Sequence, residues 1–133
     1  IAGNITATDG NFVITAGDHG IIHTNRGAVT QSTAHTNGVT LNTTSGIITL
    51  AAVSLASGAQ AEFTVTNSTV QADSLILLTV EGATAASETD DSILIAQTTG
   101  LGAGSFKITL SNVGDSATDT NARKIHFLVI NNS

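Results

Sequence analysis

The residues able to do chemistry are few: four histidines, ten acidic and four basic side chains, and no cysteine. His19 and His23 stand four apart, a spacing that on a helix brings two imidazoles to one metal ion. Here the segment is HGIIH, whose Gly20 and paired isoleucines read as a turn and a strand. On a strand His19, Ile21 and His23 point the same way, so a threefold axis could gather imidazoles around an ion. Without a carboxylate set to complete the ligands, ordinary polar residues of an arm are the stronger reading. His126 in KIHFLVI and His35 in a Ser/Thr-rich loop read as surface or interface residues, because no local motif fixes a Ser or Asp partner for a nucleophile. The densest acidic cluster, Glu88, Asp90 and Asp91, lacks the longer ligand series and the bend glycine of a calcium loop and reads as a solvated tip. GLGAG, from Gly100 to Gly104, is followed by the strand pattern SFKITL rather than by a helix, so it reads as a hairpin connection and not as a phosphate loop. No catalytic residue, cofactor site or metal site is expected, and the chain is not expected to be an enzyme.

Composition narrows the partners. A net charge of −6 has the wrong sign for nucleic acid. At 3% aromatic content, with no Trp or Tyr, the chain lacks stacking platforms for bases and the aromatic faces that usually hold sugars. No apolar run reaches the roughly 18 to 20 residues of a membrane span, and no basic, then apolar leader is visible, so no membrane partner is expected. The sequence starts at Ile1 and contains no Met, which is expected of a processed or trimmed start. Without disulfides, stability must come from packing, hydrogen bonding or assembly.

The elements that would position these residues are strands. Thr, Val, Ile, Ser, Asn and Gly dominate and suit pleated strands joined by tight turns. In QAEFTVTN, Ala61, Phe63 and Val65 share one face and Glu62, Thr64 and Thr66 the other; in SFKITLSN, Phe106, Ile108 and Leu110 oppose Lys107 and Thr109. SLILLTV (Ser74 to Val80) and KIHFLVI (Lys124 to Ile130) are apolar on both faces, which suits central strands or strands whose outer face meets another subunit. Turn signals recur about every dozen residues, giving six or seven strands over residues 38–130. Val53 to Gly58 reads as a loop. NGVTLNTTSGIITL, from Asn37, reads as the first core hairpin. The candidate core is Phe63, Val65, Leu75, Leu77, Phe106, Ile108 and Phe127. Residues 1–37, with glycines at short intervals and no run long enough for a core, read as a β-arm or stalk end, and residues 38–133 as the sandwich domain. The fold class expected is all-β: an antiparallel β-sandwich, jelly-roll-like, with an extended N-terminal β-arm.

Across residues 28–130 a longer order of pieces stands out. GAVTQSTAHTNGVTLNTTSGIIT leads to EFTVTNSTV, then to GAGSFKITLSN, and RKIHFLVI closes the series. This succession resembles a β-rich domain of tailed-bacteriophage virion proteins, of the capsid decoration or cement, head-fibre and tail-fibre kinds. Its specificity lies in the order and spacing of the pieces, each of which is also ordinary strand-and-turn chemistry. The resemblance implies a non-enzymatic structural protein on the virion surface, a homotrimer held to itself and to the major capsid protein or other virion proteins. It carries over no catalytic residue. Expected interface residues are Phe12, Ile14, Ile21 and Ile22 in the arm and Leu128 and Ile130 on the last strand. ATAASETDDS and NVGDSATDTNARK depart from the pattern as loop tips. Two other uses of the same architecture are a receptor-binding tail-fibre tip, with specificity in the loops around Thr89 to Ser92 and Ser116 to Asn121, and a surface filament whose arm completes a neighbour's sheet.

Overall fold

Alternating β-branched and polar residues can satisfy their backbone only by pairing into sheets. In the computed structural model of the chain, which describes residues 23–81, 94–114 and 118–132, they do so in two layers. The described strands are β1 (Arg26–Thr30), β2 (Val39–Thr40), β3 (Ser45–Thr49), β4 (Gln60–Thr66), β5 (Leu75–Glu81), β6 (Leu94–Gly102), β7 (Ser105–Asn112) and β8 (Lys124–Ile130). They form two four-stranded sheets, ordered β1-β3-β8-β5 and β2-β4-β7-β6, packed face to face as a sandwich. Among the described residues, 38–130 hold seven strands, β2 to β8, within the expected six or seven.

The sheets are mixed rather than purely antiparallel. β1 runs parallel to β3, and β2 parallel to β4, while the other pairings are antiparallel. The cause is the path of the chain: it changes sheet at nearly every connection, so alternate strands return to the same sheet in the same direction. Among the described strands only β6 and β7 follow one another within one sheet, and this is the hairpin expected at GLGAG. Its turn carries Gly104 at a φ of 81°, a conformation in which a side chain would be strained. The expected first hairpin does not form. β2 joins the second sheet and β3 the first, so NTTSG is an arch between layers. Two short apolar runs around a polar turn suit a hairpin or an arch equally, and only the facing sheet decides.

The core lies between the layers. Ile48, Phe127, Ile125 and Val129 from the first sheet meet Phe63, Val65, Phe106, Ile108 and Leu110 from the second, with Leu50, Leu55 and Val70 closing the ends. Phe106 and Phe127 touch edge to face across the layers, centroids 5.9 Å apart. Alternation on β4 and β7 is as the sequence pattern predicts. On β5 it is reversed: Ile76, Leu78 and Val80 point inward, whereas Leu75 and Leu77, expected in the core, are 53% and 47% exposed. LILL offers an apolar residue at either phase, so the strand's own sequence leaves its phase open.

The polar residues that make the sequence look plain pin the loops. Gln31 Nε2 donates to the carbonyls of His35 and Asn37, and its Oε1 accepts from the Ala51 amide. Asn67 Nδ2 donates to Thr43 O and Asn112 Nδ2 to Leu55 O. Val53 to Gly58 is a loop, as expected, tied by a β-bridge between Leu55 and Asp119, and Asp119 forms a buried ion pair with Arg123 at 2.6 Å.

β1 and the loop after it fall inside the segment expected to be an arm. They are nonetheless built into the sandwich: β1 pairs with β3 from Arg26 to Thr30, and Gln31 and His35 are buried. The sandwich therefore begins at or before Arg26, ahead of the Asn37 boundary. Phe12, Ile14, Ile21, Ile22, His19 and the acidic cluster Glu88, Asp90 and Asp91 lie outside the described residues.

Candidate functional site

The two outer faces of the sandwich differ in kind. On the second sheet the outward residues include Glu62, Thr64, Lys107, Thr109, Gln97 and Thr99, a mostly polar set interrupted by Ile95, which is 47% exposed. Lys107 Nζ lies 2.8 Å from Glu62 Oε1, and the hydroxyls of Thr99 and Thr109 donate to Oε2. These donors, Lys107 foremost, hold the Glu62 carboxyl below its ordinary value. Such a face is finished by water.

The outward residues of the first sheet form two blocks. At one end β5 and β8 place Leu75 opposite Ile130 and Leu77 opposite Leu128. Leu75, Leu77 and Ile130 are 53%, 47% and 43% exposed, and Leu128 is half-buried. These paired leucines and isoleucines are the outer phase of the two strands that read as apolar on both sides. β8 is an interior strand, as one of the two expectations had it, but among the described strands β5 is an edge.

Toward the other end the same face is charged. His126 Nε2 lies 2.9 Å from Glu81 Oε2, Lys124 Nζ lies 3.4 Å from Glu81 Oε1, and the Arg26 guanidinium reaches His126 Nδ1 at 3.3 Å. Arg26 thus bridges across β3 from β1 to β8, and Glu81 anchors the chain of contacts on β5. Hydrogen bonding from His126, and next from Lys124, lowers the Glu81 carboxyl below its ordinary value. An open depression of about 450 Å³ lies over β3 beside this chain, lined by His23, Arg26, Ser45, His126 and Leu128. A smaller one, about 260 Å³, sits between the sheet edges at β5 and β6, lined by Leu77, Ala96 and Gln97 among others.

Of the residues singled out in the sequence, His126, Leu128 and Ile130 come together on this outer face. His23 joins them at the depression, its Nδ1 3.5 Å from Thr44 Oγ1. Among the described residues no cluster of three potential metal ligands forms. His35 departs from the expectation of a surface residue: it is buried, with Nε2 3.0 Å from Val53 O, and serves the loop it sits in. Arg26, Ser45 and Glu81 had no motif to mark them. Their grouping follows from register, Arg26 beside Ser45 and Glu81 beside Lys124. The one visible signal was scarcity, since Arg26 and Lys124 are two of only four basic residues.

Comparison with protein-family models, with curated proteins and with solved structures gives no match.

Proposed function

We propose that this chain is a non-enzymatic virion structural protein, a homotrimer that decorates a tailed-phage capsid or builds a head fibre, with a sandwich of the jelly-roll type. The virion assignment rests on the resemblance across residues 28–130. The observation that carries the assembly is the difference between the outer faces: one is threonine-rich and ionic with a single exposed Ile95, the other presents Leu75, Leu77, Leu128 and Ile130 side by side. A contiguous apolar patch marks an interaction site, whereas singly exposed apolar residues such as Ile95 and Val113 are ordinary. Fully burying a leucine contributes roughly 1.5–3 kcal/mol, before the cost of association, so a few such residues repeated in each protomer are a sufficient centre for an interface. The pairings of β3 with β8 and β4 with β7, early strands meeting late ones, support the jelly-roll reading, while the parallel pairs β1 with β3 and β2 with β4 depart from its all-antiparallel form.

Light scattering on the purified protein tests the assembly. The expected mass is that of three protomers, and Leu77→Lys combined with Leu128→Lys should yield a folded monomer, because both substitutions face outward. A wild-type monomer at all accessible concentrations would sink the interface. Imaging of virions incubated with labelled protein tests the location: label on the capsid exterior or fibre is expected, and absence of any association removes the virion assignment.

A further inference from the structure

Ser45 is buried on the outer side of its own sheet. It is 8% exposed and its Oγ has no hydrogen-bond partner. A hydroxyl withdrawn from water without a partner costs roughly 1–3 kcal/mol, and such groups in native proteins call for an explanation. This one lies on the wall of the 450 Å³ depression, between Arg26 on β1 and Leu128 on β8, with His23 and His126 around it. That volume falls within the range of small-molecule sites.

The groups at the depression are donors. Arg26 carries a planar fork of five N–H donors, of which Nη2 is directed at His126 Nδ1. Lys124 and Glu81 face one another, so their charges offset, and Arg26 is left as the net positive charge of the group. One positive charge beside a hydroxyl fits a monoanion. A dianion would meet the Glu81 carboxylate on the far side of His126 and a chain of net charge −6.

We propose that this depression binds a small carboxylate, whose planar oxygens accept from the Arg26 guanidinium and the Ser45 hydroxyl. The bound anion draws Arg26 away from His126 Nδ1, while Nε2 stays on Glu81, so the imidazole ring reports occupancy. The titratable groups that face His126 are Arg26 from β1, Glu81 from β5 and Lys124 on its own strand, with His23 across the depression.

The test is an NMR titration at pH 8 of the His126 ring signals in the assembled protein, with acetate as the bare carboxylate, glucuronate as a sugar acid, glucose as the uncharged control and phosphate, mostly the dianion at that pH. Saturable shifts with acetate and glucuronate, none with glucose and weaker binding of phosphate are expected. Arg26→Gln should weaken binding tenfold or more and Ser45→Ala about fivefold, both with unchanged circular dichroism. Glucuronate binding tighter than acetate assigns the site to sugar acids, and equal binding assigns it to the carboxylate alone. The proposal is overturned if neither carboxylate gives a saturable shift, if both substitutions leave the affinity unchanged, or if phosphate binds more tightly than the carboxylates. The assembly state, read separately by light scattering, enters none of these outcomes.

Discussion

Ser45 and Glu81 stand on the same sheet face and answer different perturbations. Removing the partnerless hydroxyl in Ser45→Ala takes away an unsatisfied buried group and only one atom of packing. Urea denaturation should show stability unchanged within about 0.5 kcal/mol or increased, where loss of a satisfied buried hydrogen bond would cost about 1 kcal/mol or more. Glu81 contributes through charge. Its folded-state pKa lies below the ordinary 4.5 because His126 and then Lys124 hydrogen-bond the ionised form. A lowered carboxyl pKa stabilises the fold fully above the unfolded value, and that contribution is lost as pH falls through the folded value. Wild type should therefore lose an advantage over Glu81→Gln as pH drops below 4.5, measured by urea midpoints across the acid range. Glu81 is exposed, so added salt should shrink that difference.

At the scale of elements, the close fit of β3 against β8 depends on a glycine. Gly46 lies opposite Phe127 in the register, and a Cβ built there would come within 2.6 Å of Leu41 Cδ2 and 2.8 Å of the Phe127 ring. Gly46→Ala should cost roughly 1–3 kcal/mol through overpacking, read from the denaturation midpoint, and would also disturb the contact between Phe127 and Phe106. β4 and β7 were legible from sequence because each alternates strictly between apolar and polar residues, which leaves one phase for the core. β5 was not, since LILL fits either way, and its phase is set by Ile76, Leu78 and Val80 packing on the far sheet. β1 was hidden for a related reason: RGAVT offers only Val29 to the core and gains its place from backbone pairing with β3.

For the whole molecule, the unequal faces set the behaviour in solution. If the apolar block of the first sheet is the protomer contact, folding and assembly are linked by mass action, and the thermal midpoint should rise with protein concentration. Scanning calorimetry over a hundredfold range should show that rise for wild type and none for the variant carrying Leu77→Lys and Leu128→Lys; a midpoint independent of concentration in both would separate the face from assembly. The sequence by itself determined that the chain is all-β, where β4 and β7 place their core residues, that GLGAG is a hairpin turn, and that β5 and β8 have apolar residues to spare on both sides. Those properties are local, written in alternation and turn chemistry. Only the tertiary structure decided that the layers are mixed sheets, that NTTSG is an arch, that Leu75 and Leu77 face outward, and that Arg26, Ser45, His126 and Glu81 share one surface. The physical reason is that strand partner, register and layer are fixed by pairings between distant parts of the chain, β3 with β8 above all, and no short stretch carries both halves of such a pairing.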